Sequence, residues 1–280
     1  MSTPRTLVRP GGVESTEITT SRGTFAALVT RGGTAGHLLL IPGWTGSKED
    51  FTPLLPLLAE AGYEATAYDQ RGQYETPGDP APDERDADYS LAGFAADAVA
   101  IAAASTSAPG HLLGHSFGGL VAQQAVVDSA GSWRSASLLC TGPGALGQAP
   151  DRPLDRLIEA LEGGVPMPEI VRRLKGDLAE ESPKIEAFVQ KKFALTSRAS
   201  LAAMTRQLIE TPDLTDQVAA TGLRCWVGRG VDDVSWAHER QAQQAERLGT
   251  HLVEIPGAAH SPAIENPQGL AETLLPFLDS

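Results

Sequence analysis

Short apolar runs separated by longer helix-like stretches recur along most of the 280-residue chain, and this alternation restricts its fold more than any other feature. The runs are Phe25–Arg31, His37–Ile41, Glu64–Tyr68, His111–Gly114, Ala136–Cys140, Arg224–Val227 and His251–Ile255. Several are apolar almost without a break, as strands are when helices cover both faces of a sheet. The pattern predicts an α/β fold with a mostly parallel sheet of seven strands, or eight if Thr16–Thr20 adds an antiparallel edge. Helices are expected over Phe51–Ala61, where Ser47 is a candidate N-cap and Glu49 and Asp50 fall in the first turn, and over Ser90–Ala104, Ser235–Leu248 and Pro267–Leu278.

Between residues 145 and 217 the rhythm breaks. No strand-like run occurs there, but helical ones do: Leu154–Leu161, Pro168–Leu178, Lys184–Leu195 and Ser197–Ile209. Strands resume at once afterwards, so the reading is a helical cap, residues 145–217, inserted into a core domain formed by residues 1–144 and 218–280. Its apolar positions, Leu154, Leu157, Ile158, Leu161, Phe188 and Leu201, repeat at helical spacing. They are expected to pack mostly on the core domain, with a few left to face a ligand. The prolines and charges of Asp79–Asp88 suit a surface loop.

Charge narrows the partners. A formal net charge of −13 disfavours nucleic acid and anionic membrane surfaces, both of which would repel the chain. No window approaches the roughly 18 apolar residues of a membrane span, and "MSTPRTLVRPGG" lacks the apolar centre of a signal peptide. Cys140 and Cys225 both sit in apolar runs and read as reduced core thiols. A soluble, cytoplasmic protein acting on a small molecule is expected.

One segment carries the chemistry. Gly114-His115-Ser116-Phe117-Gly118 has the G-x-S-x-G spacing of a nucleophile elbow, with a strand-like run before it and a helix-like run after it. A sharp strand-to-helix turn leaves no room for side chains two residues to either side of the serine, and glycine supplies that room. The turn would aim Ser116 out of the carboxyl edge of the sheet, above a helix N-terminus. A serine hydroxyl is nearly inert at neutral pH and needs a base held by a carboxylate. Among the six histidines, His37, His111 and His251 open strands at the opposite edge, and His115 adjoins the serine in the turn. His238 lies on a helix and stays open on chemistry alone. His260 follows the last strand and reaches the edge where Ser116 lies, so position selects it. For the acid, "WVGRGVDDV" ends the preceding strand at the same edge and offers Asp232 and Asp233. An oxyanion hole needs two backbone N–H donors, one from Phe117 after the nucleophile and one from the loop after His37–Ile41.

These motifs, spread from Phe25 to the last helix, resemble those of the α/β-hydrolase superfamily. The resemblance favours Asp233 as the acid, three residues after Gly230, with Val234 where the family commonly has proline. "GAAHSPAIENP" is similar to the family's G-x-G-H-x-x-x-x-E-x-P loop, with Ala259 replacing its second glycine. Pro42-Gly43-Trp44 stands where the family has H-G-x, which assigns the second oxyanion N–H to Trp44. "YDQRGQYETPG" resembles D-x-R-G-x-G-x-S, and makes Asp69 and Arg71 loop-ordering residues. The resemblance implies a serine hydrolase cleaving a small or medium ester, thioester or lactone through an acyl-enzyme, with no metal and no organic cofactor. The same fold and triad also serve lyases, acyl transferases, carbon–carbon bond cleavage and perhydrolase-like chemistry, and a silent binding protein is the remaining alternative.

Overall fold

The computed structural model of the protein describes residues 3–78, 89–147, 154–175 and 182–280. The expected surface loop at Asp79–Asp88 and the end of the helix expected to run to Leu178 lie outside these residues. Eight strands form one sheet: β1 (Glu14–Thr20), β2 (Gly23–Thr30), β3 (Gly36–Ile41), β4 (Tyr63–Tyr68), β5 (Gly110–His115), β6 (Trp133–Leu139), β7 (Arg224–Gly230) and β8 (Leu252–Ile255). Their order is β1-β2-β4-β3-β5-β6-β7-β8. β1 and β2 are antiparallel to their neighbours, and every other pairing is parallel. All seven predicted runs are strands, and the Thr16–Thr20 run is the antiparallel edge.

The helices are α1 (Leu55–Glu60), α2 (Leu91–Ser105), α3 (Phe117–Ser129), α4 (Leu154–Glu162), α5 (Met167–Lys175), α6 (Pro183–Leu195), α7 (Arg198–Glu210), α8 (Thr215–Ala220), α9 (His238–Arg247), α10 (Pro262–Glu265) and α11 (Pro267–Leu278). Two expected helices are shorter than their sequence patterns. The run from Phe51 splits into a 3-10 turn, Lys48–Phe51, and α1. Pro53 and Pro56 lack the N–H groups that a continuous helix would use there. α9 starts at His238 rather than Ser235: the Ser235 N–H turns to the Asp233 carboxylate, and Ala237, at non-helical φ −57°, ψ 136°, stands just before the first turn.

Alternation along the central strands feeds two cores. Leu39, Leu112 and Leu138 pack with Phe94 of α2 and with Leu120 and Val121 of α3. Leu38, Leu40, Leu113 and Leu139 pack on the other face with Leu55 and Leu58 of α1 and with Leu270 and Leu274 of α11. Burial on both faces explains the uninterrupted apolar runs.

The insertion between β6 and β7 is built differently. Leu157, Leu161, Phe188 and Leu201 pack with Ile170 and Val189 in a third core of their own, not mainly on the sheet domain as their spacing suggested. Each helix is apolar on one face only, and the helices satisfy one another before reaching the sheet. Tyr74 reaches into this cluster from the loop after β4 and meets Phe188 edge to face at 5.5 Å. Met204 and Leu208 on α7 join the core around α2 and α3, which fastens the insertion down.

Candidate active site

The turn between β5 and α3 holds Ser116 at φ 57°, ψ −120°, a conformation that a side chain with Cβ adopts only under strain. The strain is held by neighbours on both sides. The Ser116 N–H donates to Leu139 O at 2.9 Å, and its own carbonyl accepts from the Gly119 N–H at 2.8 Å. A Cβ on Gly114 would overlap the Gly118 carbonyl, and one on Gly118 would overlap the Ile41 carbonyl. The two flanking glycines are therefore required by the backbone packing around the serine.

Ser116 Oγ lies 2.9 Å from His260 Nε2, and His260 Nδ1 lies 2.9 Å from Asp233 Oδ1. Asp233 is buried, whereas Asp232 is exposed. Burial pushes the Asp233 carboxyl up, but the hydrogen bond from His260 and its charge, together with the Ser235 N–H, outweigh that and hold it below the usual carboxylate value. Ser235 also sets its hydroxyl 2.8 Å from His260 Nδ1. Arg229, in β7, donates to the carbonyls of Gly230 and Asp233, which fixes the loop carrying the acid. Glu265 accepts from the N–H groups of Ala259 and Ser261 on either side of His260. His115 lies buried beneath the site and donates from Nε2 to the His260 carbonyl. Burial, and then the neighbouring His260, push His115 down to about 3, so it is neutral at neutral pH.

The loop after β3 carries three side-chain clamps. Gln70 donates to the Pro42 carbonyl at 2.9 Å, Gln73 to the Gly43 carbonyl at 2.9 Å, and buried Lys192 of α6 to the Thr45 carbonyl at 2.7 Å. A planar peptide whose carbonyl is held on one side must present its N–H on the other. Gln73, with the Gly46 N–H that donates to the same carbonyl at 3.1 Å, thus sets the direction of the Trp44 N–H. Neither that N–H nor the N–H of Phe117, the first residue of α3, has a partner among the described residues. The Trp44 ring donates to Thr205 on α7 at 3.0 Å, a second tie between this loop and the insertion.

Other singled-out residues have structural partners. Asp69 accepts from the backbone N–H and Nζ of buried Lys48, both at 2.8 Å. Arg71 forms a two-bond fork with Asp97 of α2. Both order the loops beside the site, as the resemblance implied. His37 pairs with Thr66 and His111 with Ser135 at the far edge, while exposed His238 lies near Glu254. Cys140 and Cys225 are buried free thiols.

Two further spacings bear on cofactors. His111 and His115 are four residues apart, but on a strand that separates them by about 13 Å, too far to share a metal ion. Gly142-Pro143-Gly144-Ala145-Leu146-Gly147 has the G-x-G-x-x-G spacing after β6. Its first two glycines are filled by close packing: a Cβ on Gly142 would meet the Trp236 ring, and one on Gly144 the Pro212 carbonyl. His115, Cys140 and His260 bring one ligand atom each within 4.8 Å of one another. However, Ser116 and Asp233 already engage both ring nitrogens of His260, and burial, then Asp233, push the Cys140 thiol well up.

Above Ser116 and His260 opens a cavity of about 690 Å³, whose walls include Trp44, Leu157, Leu174, Leu208 and Trp236. It has the volume of a small-molecule site. Residues 38–273 match the family model described as "Alpha/beta hydrolase family". The chain belongs to that family. Among solved structures, a hydrolase from Pseudomonas aeruginosa PA01 is similar at 25% identity and TM-score 0.76, over 97% of this chain and 100% of that one. The enol-lactonase from Burkholderia xenovorans LB400 shares the fold at 18% identity and TM-score 0.78, over 95% and 100% of the two chains. A protein of Variovorax paradoxus (strain S110), named as a candidate carbamate hydrolase, RutD, is 41% identical over 91 residues. That match spans 32% of this α/β-hydrolase and 32% of the relative's own length. No described helix is long and apolar enough to cross a membrane.

Proposed function

We propose that the protein is a serine hydrolase that cleaves a small or medium ester, thioester or lactone. The observation that carries this reading is the continuous chain from Ser116 through His260 to Asp233, with both links at 2.9 Å, beside two backbone N–H groups that have no partner among the described residues. Ser116 Oγ bonds to the acyl carbon as its proton passes to His260 Nε2, and the carbonyl electron pair moves onto oxygen. The N–H groups of Trp44 and Phe117 hold that oxyanion. As the tetrahedral intermediate collapses, the leaving group departs with the proton from His260. Water then attacks the acyl-enzyme, again giving its proton to His260, and the acid is released with Ser116 restored. Asp233 stays ionised throughout, holding the Nδ1–H and offsetting the imidazolium charge.

Residues 145–217 act in this reading as a cap that closes the cavity and sets which acyl groups fit. Support comes from their separate core and from the Leu157, Leu174 and Leu208 side chains on the cavity wall. We infer that the reaction runs in a reducing cytoplasm, in keeping with two buried free cysteines.

The test is turnover of p-nitrophenyl esters, alkyl thioesters, lactones and aryl carbamates of increasing acyl length. A pre-steady-state burst of p-nitrophenol is expected from the wild type and none from Ser116→Ala. Equal turnover by Ser116→Ala would overturn the reading.

A further inference from the structure

The cavity wall carries charge of one sign. Arg156 on α4 and Arg173 on α5 both line it, and no aspartate or glutamate among the described residues does. The chain as a whole is the reverse, with 35 acidic residues against 22 lysines and arginines. Arg156 has no hydrogen-bond or ion-pair partner among the described residues. Arg173 gives one N–H to Glu169 one turn earlier on its own helix, and a guanidinium has five to give. Each arginine is followed by a leucine, Leu157 or Leu174, that lines the same cavity. The wall is therefore apolar, with two cations set into it. A wholly neutral substrate has no use for them.

We propose that the substrate carries a free carboxylate, bound by Arg156 and Arg173 while its apolar segment lies along the leucines and its acyl carbon meets Ser116. This rests on the hydrolase reading and names the substrate class of that site: an ester, thioester or lactone of a carboxylate-bearing acid. A guanidinium grips a carboxylate through two parallel N–H bonds, and a cationic mouth draws an anion in against the repulsion of a −13 surface.

The experiment compares two esters of equal chain length, the mono-p-nitrophenyl ester of glutaric acid and p-nitrophenyl pentanoate. The readout is the ratio of their kcat/KM values. Wild type is expected to prefer the anionic ester roughly tenfold, each of Arg156→Gln and Arg173→Gln to lower the ratio by up to about fivefold through KM, and the double variant to abolish the preference. High salt should shrink the wild-type ratio. Arg134→Gln, an exposed position at the amino end of β6, should keep it. A wild-type ratio of one or less, or a ratio that survives in the double variant, would overturn the proposal. A separate arm keeps it independent of hydrolysis: glutarate should raise the unfolding temperature of wild type but not of the double variant. Absence of all ester turnover with that shift retained would sink the hydrolase reading alone. Absence of the shift would sink the anion site.

Discussion

The carboxyl edge of the sheet and the helices inserted above it face the same cavity but are made by opposite means. At the edge, Ser116, Asp233 and His260 follow three different strands, and their positions are over-determined by backbone hydrogen bonds and buried side chains. The insertion has its own core, and Arg156 and Arg173 on it are exposed. A residue at the edge has little freedom to change without disturbing the chemistry. A residue on the insertion can change the shape or charge of the cavity while the sheet stays as it is. On the proposed reading, the division leaves bond cleavage to the edge and choice of substrate to the insertion.

Substitutions can break or sharpen that division. The largest effect is expected from Asp233→Asn, which keeps the shape but loses the charge and favours the wrong histidine tautomer: kcat should fall by about 10⁴. Asp232→Asn, one exposed residue away, should stay within about twofold, and the reverse pair of results would move the acid to Asp232. Next, Gly118→Ala should lower stability by about 3 kcal/mol in urea unfolding, since its Cβ would overlap the Ile41 carbonyl. Gln73→Ala tests whether the clamp on the Gly43 carbonyl orients the oxyanion donor: kcat should drop about tenfold with KM nearly constant, because the lost interaction belongs to the transition state. On the insertion, Leu174→Ala should instead lengthen the preferred acyl chain, changing kcat/KM by up to about tenfold and mostly through KM. A kcat effect as large as that of Asp233→Asn would erase the contrast between the two regions.

One further expected effect concerns pH and lies far from the site. Burial, and then Arg134, push His111 down to about 4 from an unfolded value near 6.5. Between those values the unfolded chain binds a proton that the native state does not, so stability falls as pH falls through this window. His111 contributes a slope of up to about 1.4 kcal/mol per pH unit. Unfolding in urea at pH 7, 6 and 5 should show the loss, and His111→Leu should make it shallower, leaving the part due to His115, which burial also holds neutral.

Much of this was legible in the sequence because it is local. The apolar runs, the elbow glycines and the Ser-Asp-His order each depend on a few adjacent residues, and a parallel sheet brings the ends of its strands to one edge. What stayed hidden depends on contacts between distant segments. Ser235 matters because its hydroxyl meets His260, and Lys192 because α6 crosses above the loop at Thr45. Gln73 stands out only when the Gly43 carbonyl is seen beside it. The same reason separates α4 to α7, whose helical periodicity was plain, from the core they form, because amphipathic spacing does not name the partner surface. α8, six residues long, was too short to show a period.

The central claim is that Ser116 is an activated nucleophile. Labelling with a fluorophosphonate, followed by intact-protein and peptide mass measurement, tests it most directly. One adduct is expected on the peptide containing Ser116, absent in Ser116→Ala and strongly slowed in His260→Ala. A wild-type protein that stays unlabelled, or an adduct on any other residue, would contradict the account.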